Sequence, residues 1–152
     1  MDLLIKHKIL ILKGKSKTPI RLKVKGCSMF PVISEGDELL IKGNDSYEIG
    51  DILVFTYNAD ELVVHRLLKR KEDLYLCKGD NSFRLEMFKA ERIVGKVINI
   101  NGMKVPDISD EQIEMSFEVN KIFTKNNYDV NETTKNETYI NYVNKYIYNN
   151  GG

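Results

Sequence analysis

The spacing of apolar and polar residues predicts strands in the first two thirds of the chain. Ile20, Leu22 and Val24 are separated by Arg21 and Lys23, which is the period of two expected of a strand with one buried face. Further short runs rich in β-branched and aromatic residues follow, and turn-forming residues separate them. These runs predict strands at 38–42, 51–57, 62–68, 74–77 and 93–100.

After Pro106 the apolar residues recur with helical spacing. A capping box at 109–112 predicts a helix over 110–124. A second helix is predicted over 133–148, with a loop at 126–131, because apolar residues fall at i, i+3, i+4, i+7 and i+8. This stripe, typical of a helix packed on a partner surface, consists of Tyr139, Tyr142, Val143, Tyr146 and Ile147.

Composition changes at the same place. Residues 107–152 contain nine of the 14 asparagines, whereas residues 1–106 contain all three prolines. A chain of 152 residues is long enough for one domain with an appended tail. We therefore expect a mainly β domain over 1–106, an antiparallel coiled sheet or barrel with a hairpin at 62–77, and a two-helix extension over 107–152.

Charge and cysteine content narrow the function classes. The net charge of +1 provides no overall attraction to nucleic acid, so nucleic acid is not expected as a partner. Cys27 and Cys77 lie outside any zinc-ligand spacing, and two cysteines are too few for a disulfide scaffold. We expect structural roles for both in a reducing compartment, with no metal and no organic cofactor.

The apolar run at 9–12 is bracketed by lysines. It is long enough for a strand, but a membrane-spanning helix needs about 20 apolar residues. The sequence therefore predicts a cytoplasmic protein without an integral membrane anchor.

Few residues can act as a base near neutral pH, because the chain has only two histidines. His65 lies in an apolar run and shares a strand face with Val63 and Leu67, where it serves either as a hydrogen-bonded structural residue or as a catalyst. Ser28 lies in a strand–glycine–proline turn that bends the chain sharply, which suits either an ordinary turn serine or an exposed nucleophile. Asp80, in a Gly-Asp-Asn turn, is either a turn residue or a partner for His65.

Five short segments in order decide between these alternatives, because together they resemble type I signal peptidases and, more distantly, LexA-like self-cleaving repressors. The resemblance covers about residues 20–100. The segments are GCSMFPVISEGDELLI (26–41), YEIGDILVF (47–55), LVVHRLL (62–68), YLCKGDN (75–81) and IVGKV (93–97).

The resemblance implies a role for each candidate residue. Ser28 corresponds to the nucleophile of the family's SMxP box, and Val64-His65-Arg66 corresponds to the histidine of the archaeal and endoplasmic-reticulum branch. Asp80 corresponds to the aspartate that orients this base, with Glu86 as a competing acid. Oxyanion and substrate contacts are expected from Gly26, Cys27, Ser28 and Met29.

The implied function is that of a site-specific serine endopeptidase that removes a leader or signal-like segment from a precursor peptide. Such a soluble member of the family would work with partner proteins of peptide maturation or export. The alternative is a regulatory module on the same fold, which holds an extended peptide without cutting it.

Overall fold

The computed structural model describes residues 3–58 and 61–148. Within this part of the chain, eight strands form one antiparallel sheet. They are β1 Ile20–Lys23, β2 Glu38–Lys42, β3 Ile52–Tyr57, β4 Glu61–Lys71, β5 Leu74–Lys78, β6 Leu85–Lys89, β7 Ile93–Ile100 and β8 Met103–Lys104.

The strand order is β1-β2-β7-β3-β4-β5-β6, with β8 paired to β7. The prediction of a mainly β, antiparallel fold is confirmed, and the hairpin predicted over 62–77 is β4–β5. Each predicted strand has an observed counterpart, whereas β6 and β8 were not predicted. The sheet is open, because β1 and β6 are the ends of this order.

Strand β3 lies near the middle of the sheet, and both of its faces are buried. Leu53 and Phe55 belong to one apolar cluster, while Ile52 and Val54 belong to another. The sequence reflects this burial, since residues 52–55 form a continuous apolar run rather than an alternating one. The two clusters are therefore packed on opposite faces of the same strand.

Four α-helices accompany the sheet in the described residues. The helix predicted over 110–124 is confirmed, whereas the one predicted over 133–148 is divided. Asn136 caps a new helix by accepting a hydrogen bond from the Thr138 N–H at 2.8 Å, and a π-helical segment follows over Val143–Tyr148. The helices are α1 Leu3–Lys15, α2 Asp110–Lys125, α3 Val130–Thr134 and α4 Glu137–Tyr142.

Residues 9–12 lie in helix α1, an element that was not predicted. A contiguous apolar run has no period of its own and fits a helix or a strand. The buried positions of α1 include His7 and Gly14, with Leu10 and Ile11 partly buried between them, which is helical spacing. Among the described residues, no helix combines the length and apolar character needed to cross a bilayer.

Helix α1 packs against β7 so closely that only glycine fits at the contact. A Cβ atom at Gly14 would lie 1.8 Å from the Val94 carbonyl oxygen, and one at Gly43 would lie 1.8 Å from the Gly14 carbonyl oxygen. Both obstacles are backbone atoms, which cannot rotate away. The two glycines therefore set the distance between α1 and the sheet.

The helical extension packs against the sheet domain through Phe83. This side chain stacks on Phe123 with ring centroids 4.9 Å apart and meets Tyr139 edge-on at 5.3 Å. Behind it, Val119 and Tyr142 form a third buried cluster. Residues 149–152, the end of the predicted extension, lie outside the described residues, and the boundary at 106 stays a prediction.

The contact at Gly14 predicts that replacing this helix glycine by alanine destabilises the protein, the opposite of the usual effect. In an exposed helix, glycine to alanine stabilises by about 1 kcal/mol. Here we expect Gly14→Ala to lower the free energy of unfolding by about 1–3 kcal/mol, measured by urea denaturation, because the added methyl group overpacks the contact. Lys13→Ala, at an exposed neighbouring position, serves as control. A stability equal to or above wild type for Gly14→Ala would contradict this packing.

Candidate active site

Ser28 lies in a turn that follows β1. Gly26 has a φ of +85°, a conformation that glycine adopts without steric penalty. The Phe30 N–H donates a hydrogen bond to the Cys27 carbonyl at 3.1 Å, which closes the turn around Ser28. Met29 is buried in the core, whereas Ser28 is half-buried. The turn thus anchors its backbone in the core and leaves the serine side chain partly accessible.

His65 lies in β4, opposite Leu53 of β3. Its Nε2 atom is 2.9 Å from Ser28 Oγ, and the residue is 6% exposed. The structure therefore brings together the two residues that the sequence singled out as nucleophile and base. Their catalytic roles stay predictions.

The other ring nitrogen of His65 contacts Glu86 of β6. The distance from Nδ1 to Glu86 Oε1 is 2.5 Å, and Glu86 is fully buried. Its second oxygen accepts a hydrogen bond from Arg84 Nε at 2.7 Å. An ionised carboxylate can only accept hydrogen bonds, so Glu86 favours the neutral imidazole tautomer with its proton on Nδ1 and its Nε2 lone pair facing Ser28.

Arg84 extends this chain of contacts to the protein surface. It donates a hydrogen bond to Glu61 at 3.0 Å, and this bond is the main cause of a lowered pKa for the Glu61 carboxyl. The guanidinium thus bridges a buried carboxylate and a half-buried one. The sequence analysis did not identify Arg84, since its two partners lie on different strands.

Asp80 does not contact His65, which corrects the expectation that it orients the base. Its carboxylate accepts hydrogen bonds from Arg66 Nη2 at 2.7 Å and Arg66 Nε at 3.3 Å. Arg66 also donates to the Gly50 carbonyl at 2.9 Å. Both charged groups are almost fully buried, so Asp80 serves as the counter-ion of a buried guanidinium.

The alternation of side chains along a strand explains why Glu86, rather than Asp80, contacts His65. His65 and Arg66 are consecutive in β4 and point to opposite faces of the sheet. Glu86 pairs with Cys77 in the β5–β6 register, and Leu67 pairs with Cys77 in the β4–β5 register. Glu86 therefore shares the face of His65.

The turn also presents backbone donors beside the nucleophile. Among the described residues, the N–H groups of Cys27, Ser28 and Met29 donate to no other protein atom. Gly26 differs, because its N–H donates to the Glu35 carboxylate at 3.3 Å. Of the four residues predicted to contact the oxyanion, Cys27, Ser28 and Met29 have an available backbone N–H, whereas the Gly26 N–H already bonds to Glu35.

Gly79 is packed between the two candidate catalytic residues. A Cβ atom there would lie 2.6 Å from the Ser28 carbonyl oxygen and 3.0 Å from His65 Nε2. The position therefore requires a residue without a side chain. A Gly-Asp-Asn turn marks this glycine in the sequence, but its contact with a histidine on another strand depends on tertiary packing.

A cleft of about 500 Å³ opens beside Ser28. One wall comes from β1 and the residues after it, and the opposite wall comes from the start of β4. The lining residues are Lys6, Leu22, Lys23, Val24, Lys25, Ser28, Met29, Ile33, Leu39, Leu62, Val63 and Val64. Within residues 3–58 and 61–148, no group of three or more His, Cys, Asp or Glu side chains could hold a metal ion.

Lys78 is a fully buried ammonium on the face opposite His65. Its Nζ donates to Ser116 Oγ at 2.9 Å and to the Gly79 carbonyl at 3.1 Å, both neutral oxygens. Burial lowers the pKa of Lys78 to about 8, although the negative charges of Asp80 and Glu86 oppose this shift. A charged lysine here is therefore destabilising at neutral pH.

Two comparisons relate the chain to known proteins. Residues 5–98 match the model of a family described as Peptidase S24-like. The chain is also 29% identical over 80 residues to the LexA repressor of Leuconostoc citreum strain KM20. This alignment covers 52% of the chain and 38% of the repressor, so the chain matches well under half of the repressor's length. Ser28, His65 and Glu86 lie inside residues 5–98, the segment that matches the family model, whereas α2 to α4 lie outside this segment.

The buried ammonium predicts a pH-dependent effect of Lys78→Met. The unfolded chain keeps its lysine proton up to a pKa near 10.5, whereas the folded chain releases it near 8. Between these values the unfolded state binds more protons, so Lys78 makes the free energy of unfolding rise with pH. We expect Lys78→Met to remove this rise.

In numbers, Lys78→Met should be more stable than wild type by about 1–3 kcal/mol at pH 7. That advantage should shrink by on the order of 3 kcal/mol as the pH approaches 10.5. The measurement is urea denaturation at a series of pH values, with exposed Lys125→Met as control. A difference between variant and wild type that does not change with pH would contradict the burial of a titrating ammonium.

Proposed function

The chain belongs to the Peptidase S24-like family, and on that premise we propose that it is a serine endopeptidase with His65 as general base. The observation that supports this most directly is the continuous contact from Ser28 Oγ through His65 to Glu86, at 2.9 and 2.5 Å. Nucleophile, base and orienting acid are within hydrogen-bond distance in the order that acyl transfer requires.

In the proposed reaction, His65 Nε2 takes the Ser28 proton as Oγ attacks the carbonyl carbon of the substrate. The tetrahedral intermediate collapses when the imidazolium gives this proton to the leaving amine, which breaks the C–N bond and leaves an acyl-enzyme. In the second half of the reaction, His65 takes a proton from a water molecule as the water attacks the acyl-enzyme carbonyl. The ester bond to Ser28 then breaks, Ser28 Oγ regains a proton from His65, and the carboxylic acid product is released. Throughout, Glu86 holds the Nδ1 proton and stabilises the positive ring, the role first expected of Asp80.

The oxyanion of the intermediate would bind to backbone N–H groups of the Ser28 turn. Cys27, Ser28 and Met29 offer donors without a protein partner among the described residues. Removing one such donor typically costs about 3–4 kcal/mol of transition-state stabilisation. The buried Met29 side chain keeps this stretch of backbone rigid, so the donors need no rearrangement before the reaction.

The substrate would bind in the cleft as an extended strand. Strand β1 pairs only with β2 in the described part of the chain, and residues 61–65 of β4 pair only with β3. Two unpaired strand edges thus border the cleft, where a peptide could form backbone hydrogen bonds. Specificity would then come from alternate side chains, with a small residue before the cut, as in signal peptidases.

The charges around the cleft suggest a further preference. Lys6, Lys23 and Lys25 line it together with apolar residues, and no acidic side chain is part of its described lining. We infer a substrate with acidic side chains close to the cleavage site, because these would complement the three ammonium groups. A leader segment of a precursor peptide remains the proposed substrate class.

A peptide library tests the proposal. The full chain should cleave a subset of peptides after a small residue, with acidic residues enriched within a few positions of the cut. Added salt should weaken the acidic preference, because it screens exposed lysines. Ser28→Ala should lower cleavage by more than about 10³-fold, and Ser34→Ala should leave it unchanged.

Cleavage by Ser28→Ala at the wild-type rate would refute the proposed mechanism. If wild type and Ser28→Ala both bound peptides in the cleft and neither cut them, the module would be a peptide binder, which is the alternative function. Mass spectrometry of the products distinguishes these outcomes and identifies the cleaved bond.

A further inference from the structure

The helices after Pro106 lie outside the segment that matches the Peptidase S24-like family, yet they contact a loop beside the candidate active site. This 79–83 loop makes up all but the last residue of the connection between β5 and β6. It lies between the Ser28 turn on one side and the helices on the other. Its contacts on each side suggest what the extension does.

On the side of the nucleophile, Asn81 holds the Ser28 turn through two hydrogen bonds. Its N–H donates to the Ser28 carbonyl at 2.8 Å, and its side-chain Nδ2 donates to the Cys27 carbonyl at 3.2 Å. Gly79 fills the remaining space against His65. The backbone position of Ser28 therefore depends on the position of the loop.

On the side of the helices, two side chains hold the same loop. The Tyr142 hydroxyl of α4 donates to the Asp80 carbonyl at 2.7 Å, and Asn120 Nδ2 of α2 donates to the Phe83 carbonyl at 2.7 Å. Tyr142 is 2% exposed, so its hydroxyl bonds to the loop in a place that excludes water. The residue before the loop, Lys78, reaches α2 as well, through Ser116.

From these contacts we propose that Tyr142 and Asn120 are positioning residues for the Ser28 turn. They hold the 79–83 loop from behind, and Asn81 transmits this placement to the carbonyl groups of Cys27 and Ser28. The expected effect on turnover rests on the proposed peptidase function, whereas the placement of the Ser28 turn does not. It makes the helical extension a part of the catalytic unit.

The physical reason is the narrow tolerance of acyl transfer. A displacement of about 1 Å between reacting groups can reduce a rate 10²-fold. The loop has a short, irregular backbone, and beside the Arg66–Asp80 ion pair one bond from Tyr142 and one from Asn120 hold it from the helices. Loss of either bond should widen the range of positions that Ser28 Oγ samples relative to His65 Nε2.

The test compares Tyr142→Phe with Tyr148→Phe, which makes the same change at an exposed position of the adjoining π-helical segment. For Tyr142→Phe we expect kcat on a cleaved library peptide to fall about 5- to 50-fold. KM should stay within about twofold, because Tyr142 lies outside the described cleft lining. Tyr148→Phe should match wild type in both.

Hydrogen exchange followed by mass spectrometry provides a readout that does not need activity. In Tyr142→Phe, the hydrogen-bonded amides of Phe30 in the Ser28 turn and of Asn81 and Ser82 in the loop should exchange faster than in wild type, while those of β3 should not. Asn120→Ala is the second variant should Tyr142→Phe fail to fold, and the same pattern is expected of it.

The possible results separate the two proposals. Unchanged exchange at Phe30, Asn81 and Ser82, or unchanged kcat despite faster exchange, would overturn the positioning role. A uniform loss of protection that includes β3 would also overturn it, because the effect would then be global destabilisation. If the wild type cut no peptide, the proposed function would fail, and faster exchange confined to the amides of Phe30, Asn81 and Ser82 would still support the placement of the turn by Tyr142.

Discussion

The candidate site depends on the alternation of side chains along β4. His65 and Arg66 are neighbours in the chain, but the strand directs them to opposite faces of the sheet. Each is buried, and each is matched with its own carboxylate, Glu86 for His65 and Asp80 for Arg66. One face therefore carries the contact with Ser28, and the other carries the ion pair that supports the 79–83 loop from behind.

Close backbone packing is the second constraint on the site. Gly79 leaves no room for a side chain between the Ser28 carbonyl and His65. An arginine holds each of the two buried carboxylates, since Glu86 bonds to Arg84 and Asp80 bonds to Arg66. In the proposed mechanism this rigidity has a purpose, because a preorganised site does not have to reorder its dipoles during the reaction.

Much of this arrangement could be predicted from the sequence, and the failures have physical causes. Ser28 and His65 were identified because the order of five short segments resembles the signal peptidases, whereas the glycine–proline turn and the strand histidine each also fitted a structural role. The same resemblance placed the acid at Asp80, with Glu86 as a competitor. The register of β6 with β5 decides between the two acids, and it is a long-range property, since no strand was predicted over residues 85–89. Helix α1 was missed because the apolar run at 9–12 carries no period, so packing against β7 decides its conformation.

If Ser28, His65 and Glu86 form one nucleophilic unit as proposed, the reactivity of Ser28 Oγ depends on both partners, and the rate of covalent labelling by a fluorophosphonate measures that reactivity. Ser28 Oγ would displace fluoride from phosphorus while His65 takes the proton. We expect a single adduct on Ser28, formed about 10²–10⁴-fold more slowly in Glu86→Gln and at the wild-type rate in exposed Glu91→Gln. No adduct on Ser28, or an equal labelling rate in Glu86→Gln, would contradict the proposed unit.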